Sequence, residues 1–188
     1  MSLRHIRMPL QRLLNLRSSS RVLRADESGA TAVEFGLVAT PFFMLLFGII
    51  SVGFYFFTMF TLENAVEDAA RLIRTGQVQS SNMTADAFKT QVCGKLPSYV
   101  DCANKVRVNV QNFTSFGTFV TPSCLDGSGN LVSNASTTYS AGTASNVVLV
   151  TACYEWALAG SMPFLKLGQM ANGSALIQAA TTFMTEPY

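Results

Sequence analysis

The 28 residues from Phe35 to Leu62 carry no charged side chain. A helix that crosses a bilayer needs about 20 consecutive apolar residues. A signal-peptide core needs only about 7–15. The run is therefore long enough to span a membrane and too long for a secretion signal. Cleavage after it would call for an Ala-x-Ala site, and Ala65-Val66-Glu67 fits that poorly. One acid, Glu34, stands directly before the run. An ionisable group at the edge of hydrocarbon is costly, so Glu34 marks a functional position by default.

The charge is distributed unevenly about this run. Residues 1–29 hold six arginines (Arg4, Arg7, Arg12, Arg17, Arg21 and Arg24) against Asp26 and Glu27, a balance of +4. The remainder of the chain holds seven bases and nine acids, a balance of −2. The positive-inside rule keeps the basic end in the cytoplasm and sends the C-terminal part across. No basic patch follows the span, which excludes nucleic acid as an expected partner.

Three small residues, Ala32, Gly36 and Thr40, recur at intervals of four. On a helix they form one stripe, along which a second helix can approach closely. Pro41 removes one backbone hydrogen bond and predicts a kink or local unwinding. Phe54, Tyr55, Phe56, Phe57 and Phe60 crowd the far end. They read as an aromatic belt at the outer interface, and as a packing surface between subunits.

Helical periodicity continues beyond the apolar run. Leu62, Val66, Ala69, Ala70 and Ile73 fall on one face, with Glu63, Glu67, Asp68, Arg71 and Arg74 on the others. Glu67 and Arg71 are spaced for an i,i+4 pair in the favourable order, and Gly76 is a stop. A helix from Ala30 to Thr75 would be about 70 Å long at 1.5 Å per residue. Before it, Leu3, Ile6, Leu10, Leu13 and Leu14 lie near one face between arginines. That pattern predicts a basic amphipathic helix on the inner membrane surface. The same arginines also mimic a mitochondrial transit peptide, a reading that leaves Gly29 and Glu34 unexplained.

From Gln77 onward the pattern is α+β. Thr84 to Val92 predicts a short helix with Thr84 or Ser81 as cap and Phe88 and Val92 inward. Lys105 to Phe113 alternates as a half-buried strand. Asn146 to Trp156 is more continuously apolar and predicts a central strand, and Ser174 to Met184 predicts a third. Turns are expected at Asp126-Gly127-Ser128-Gly129 and at Asn172-Gly173. Pro163, Lys166 and nearby glycines argue against a second span. The expected fold class is thus a long membrane-spanning helix followed by a small domain with an antiparallel sheet. The boundaries read as 1–29 for a basic leader, 30–76 for span and helical spine, and 77–188 for the domain outside.

All four cysteines, Cys93, Cys102, Cys124 and Cys153, follow the span, in a compartment that topology makes oxidising. An even number there predicts disulfides. Three connectivities are possible. In one of them Cys93–Cys102 closes a short loop and Cys124–Cys153 ties the long loop to the second strand. Metal binding is the weaker reading, because no Cys-x-x-Cys occurs and the chain's one histidine, His5, lies in the leader. The same histidine count disfavours a Ser-His-Asp or Cys-His centre. No phosphate-binding glycine loop is present. Neither catalysis, nor a cofactor, nor a small-molecule substrate is expected. Glu155 and Asp101 read as isolated acids on a strand surface and a turn.

Gly29-Ala30-Thr31-Ala32-Val33-Glu34-Phe35 and the span after it resemble the TadE-like family of the tight adherence (Tad, Flp-type) pilus system. Leu62-Glu63-Asn64-Ala65, Asp68-Ala69-Ala70-Arg71 and Arg74-Thr75-Gly76-Gln77 extend the resemblance. So do Cys93 with Cys102, Tyr154-Glu155-Trp156 and Phe183-Met184-Thr185-Glu186-Pro187-Tyr188. Cys124 and Cys153 stand outside that pattern.

The resemblance implies a minor pilin or pseudopilin, longer than a bulk filament subunit. It implies a prepilin peptidase that cuts after Gly29, so that Ala30 becomes the N-terminus and Glu34 the fifth residue, the layout of a type IV pilin. Implied partners are the bacterial inner membrane, other pilins and Tad assembly proteins. Implied roles are pilus assembly, adhesion and biofilm formation in a Gram-negative bacterium. An uncleaved single-pass envelope scaffold is the alternative, and a membrane-anchored enzyme is disfavoured by the missing histidine and metal ligands.

Overall fold

The computed structural model describes residues 29–118, 120–161 and 167–187. The amphipathic helix expected in the leader lies outside them. The chain divides into two units, Met1–Phe47 and Gly48–Tyr188. The division falls inside α1, a helix of 45 residues over Ala30–Arg74.

In the first unit α1 is bare. Val33, Phe35 and Leu37 are 64%, 70% and 72% exposed. Phe43 touches only its helical neighbours among the aromatics, Phe42 at 5.4 Å and Phe47 at 6.1 Å between ring centroids. Pro41 sits inside the helix without interrupting it. Its missing N–H leaves the Leu37 carbonyl without an i+4 donor.

In the second unit the same helix becomes amphipathic and forms one wall of the core. Thr58, Leu62, Ala65, Val66, Ala69, Ala70 and Ile73 are buried along one face. The five residues of the expected stripe are all among them. The acids and bases stay exposed on the remaining faces. Their ion pairs reach other elements: Asp68 to Lys95 at 3.4 Å and Arg74 to Glu186 at 3.7 Å. Among the described residues, Glu67 and Arg71 do not close the expected pair. Gly76 ends the helix with a left-handed φ of 74°, a conformation that glycine adopts without a Cβ clash.

Short helices follow: α2 (Gln77–Ser80), α3 (Ala85–Cys93) and α4 (Cys102–Lys105). Thr84 caps α3 by accepting from the Ala87 N–H, and Phe88 and Val92 are buried beneath it. Asp101 caps α4 by accepting from the Asn104 N–H at 3.2 Å.

Strands β1 (Val106–Phe113), β2 (Val147–Trp156) and β3 (Ala175–Met184) form an antiparallel sheet in the order β1-β2-β3. In register, Val150 lies between Val110 and Thr181. Each strand starts one residue later than its pattern predicted, because the preceding residue is used locally. Lys105 closes α4. The Asn146 N–H donates to Thr185 Oγ1 at 3.0 Å, and the Ser174 N–H donates to Asn172 Oδ1 at 3.0 Å.

Both faces of β2 are covered, which explains its unbroken apolar character. Val148, Val150, Ala152, Tyr154 and Trp156 join the core with α1. Val147, Leu149, Thr151 and Cys153 alternate with them and are buried on the other face. There Cys124–Cys153 and a bond from Arg107 Nε to the Val132 carbonyl (2.8 Å) hold the loop before β2. In the turn of that loop, Asp126 Oδ1 accepts from the N–H groups of Ser128 and Asn130, at 2.8 and 3.0 Å.

Strand β3 runs in the direction of α1. It begins at Ala175, opposite Trp156, which touches Tyr55. Just past its end, the Glu186 N–H donates to the Arg74 carbonyl at 2.9 Å. The fold is α+β: a long helix, a three-stranded antiparallel sheet and two disulfides.

Candidate processing and assembly site

Gly29 lies directly before α1 and is exposed. A Cβ built on it meets nothing within 4 Å, so among the described residues nothing in the fold requires glycine there. Ala30 opens the helix, and Glu34 follows one turn later on the same face. Glu34 is exposed and joins no ion pair among the described residues.

Ala32, Gly36 and Thr40 lie one turn apart and are all exposed. The Thr40 hydroxyl donates to the Gly36 carbonyl at 2.7 Å. That bond turns the one polar group of the stripe back onto its own backbone. A Cβ on Gly36 would also meet nothing within 4 Å. The stripe is exposed along its whole length.

The aromatic group at residues 54–60 splits into two sets. Phe54 and Tyr55 turn toward the domain, where Trp156 lies 6.3 Å and 5.4 Å from them. Phe56, Phe57 and Phe60 remain exposed. Tyr99 completes the inner set, 4.9 Å from Phe54. Periodicity did not reveal Tyr99, because it sits in an irregular loop. Its only sequence signal was its position between two cysteines.

The cysteines pair as Cys93–Cys102 and Cys124–Cys153, each with Cα atoms 5.7 Å apart. Glu155 is not an isolated acid. Its Oε1 accepts from Asn172 Nδ2 at 3.0 Å and Ser174 Oγ at 3.1 Å, and Lys105 Nζ lies 3.5 Å away. The turn at Asn172-Gly173 was expected from its residues, but the contact it makes with Glu155, 17 and 19 residues away, is invisible to local patterning. Burial holds the Tyr154 phenol above its ordinary range, helped by Tyr99, Asp101 and Glu155. Burial raises Tyr139 likewise. It lowers Lys89, with Arg107 adding repulsion. No cluster of three metal-ligating side chains occurs among the described residues.

Residues 29–71 match the family model described as TadE-like protein. The match covers 43 of the chain's 188 residues. The match opens at Gly29, one residue before the helix, and closes three residues before its end. The matched segment thus comprises nearly all of α1 and none of the sheet. Its apolar part is long enough to cross a membrane. Comparison with curated proteins and with solved structures gives no match.

Proposed function

We propose that this protein is a minor pilin or pseudopilin of a Tad pilus system, processed after Gly29 by a prepilin peptidase. One observation carries the reading. The TadE-like match and the helix start together, at Gly29 and Ala30, with an acid at the fifth position of the processed chain. The exposed, structurally unconstrained Gly29 supports access by a peptidase.

Cleavage would leave Ala30 with an α-amino group, whose unperturbed pKa of about 8 makes it largely positive at neutral pH. Glu34 then has a partner in an apolar setting. A carboxylate without one costs roughly 2.5–3.5 kcal/mol at the bilayer centre and less near its edge. A neighbouring subunit's amine would offset that cost and fix the axial register between subunits. The stripe of Ala32, Gly36 and Thr40 would let the helices come close enough to do so.

In this reading residues 1–29 are a cytoplasmic leader, residues 30–76 are span and spine, and residues 77–188 are a periplasmic domain. The excess of arginines before the span supports that orientation. Disulfides on the far side support an oxidising compartment. The protein would act in pilus assembly, adhesion and biofilm formation.

Glu34→Gln keeps the shape and removes the charge. It should leave insertion and cleavage normal while abolishing piliation and the co-purification of pilins. Wild-type piliation and adherence in that variant would refute the role given to Glu34.

A further inference from the structure

Within the second unit, the first turns of its part of α1 are built into the domain through Phe54 and Tyr55. Tyr99 packs on Phe54, and its hydroxyl lies 3.2 Å from Thr58 Oγ1. Trp156, the last residue of β2, packs on both Tyr55 and Phe54. The chain then turns through Ala157–Ser161, where Leu158 stands 47% exposed. Tyr99 is also 42% exposed, although it is held from behind on two sides.

The loop that carries Tyr99 has a defined direction. It is closed by Cys93–Cys102 and braced at one end by the Lys95–Asp68 ion pair. Asp68 lies ten residues further along α1 than Thr58, about 15 Å at 1.5 Å per residue. The loop therefore descends the helix, and Tyr99 is its tip. A span that starts at Phe35 uses about 20 residues, so hydrocarbon ends near Phe54. Tyrosine and tryptophan are the side chains that prefer this level, with an apolar ring on one side and polar headgroups on the other.

We propose that this end of the domain is a lipid-binding foot. Tyr99 and Leu158 rest in the headgroup region of the bilayer that α1 crosses, with Phe54 and Trp156 directly behind them. The inference rests on α1 crossing the membrane, and the test separates the two claims.

Trp156 is the chain's one tryptophan, so the full-length wild-type protein reports the depth of this end directly. It is reconstituted in phosphatidylcholine–phosphatidylglycerol vesicles whose acyl chains are brominated near the glycerol or near the methyl end. Bromine near the glycerol should quench Trp156 more than bromine near the methyl end. Tyr99→Trp in a Trp156→Phe background should behave in the same way. Phe183→Trp in that background, at the opposite end of β3, should be quenched by neither lipid. Phe47→Trp in that background should be quenched by bromine near the methyl end, which reports insertion of α1. If Phe47→Trp is quenched while Trp156 and Tyr99→Trp resemble Phe183→Trp, the foot is overturned and the span stands. If Phe47→Trp is not quenched, α1 does not cross and the proposal falls with it.

Discussion

The Tyr99 hydroxyl donates to Thr58 Oγ1 across a 3.2 Å gap, because the Thr58 proton is already committed to the Phe54 carbonyl at 2.9 Å. This contact fastens the small disulfide loop to the helix just where the helix changes from bare to buried. Tyr99→Phe removes the bond and keeps the ring on Phe54. A typical hydrogen bond contributes about 0.5–1.5 kcal/mol. The unfolding free energy from denaturant titration, followed by Trp156 fluorescence in detergent micelles, should fall by that amount. Tyr99→Ala should fall further, since it also loses the ring contact.

The two disulfides should differ in what they contribute. Cys93–Cys102 joins residues 9 apart in sequence, and Cys124–Cys153 joins residues 29 apart. A longer closed loop removes more entropy from the unfolded chain, giving about 2.7 kcal/mol for the short loop and about 3.6 kcal/mol for the long one. Double Cys→Ser variants compared by equilibrium unfolding should therefore rank Cys124/Cys153 as the more damaging loss. Non-reducing peptide mapping of the wild type should recover both linked peptides.

Alkaline pH should unfold the domain through its buried phenols. Tyr154 and Tyr139 are both held above the ordinary tyrosine value of 10.0, first by burial. The folded state thus keeps the proton longer than the unfolded state does. The associated stability is fully present below about pH 10 and is lost as pH rises through the raised values. Tyr154→Phe should flatten this decline and leave the neutral-pH midpoint almost unchanged. An equally steep alkaline decline in that variant would mean that other groups cause it.

Much of this architecture was legible because it is local. Hydrophobic period fixed the buried face of α1 down to Leu62, Val66, Ala69, Ala70 and Ile73. Gly76 and Thr84 marked a stop and a start through their own chemistry. The more continuously apolar run of β2 already indicated a central strand. What stayed hidden depends on pieces distant in sequence. Glu155 acquires its partners only when Asn172 and Ser174 fold back beside it. Phe54 and Tyr55 separate from Phe56, Phe57 and Phe60 only because Tyr99 and Trp156 arrive from elsewhere. The Glu67–Arg71 pair expected from spacing is not closed among the described residues, and the ion pairs of this stretch are Asp68–Lys95 and Arg74–Glu186, whose partners are distant in sequence. Gly29 and Glu34 stand exposed at the start of α1, where the fold adds no contact that bears on the processing expected from the sequence.

Intact-mass analysis of the protein extracted from its native membrane tests the central claim most directly. The account predicts a single species whose mature chain begins at Ala30, and a Gly29 variant with a bulky side chain that retains the full leader. A mature species that still begins at Met1 or Ser2 would contradict it.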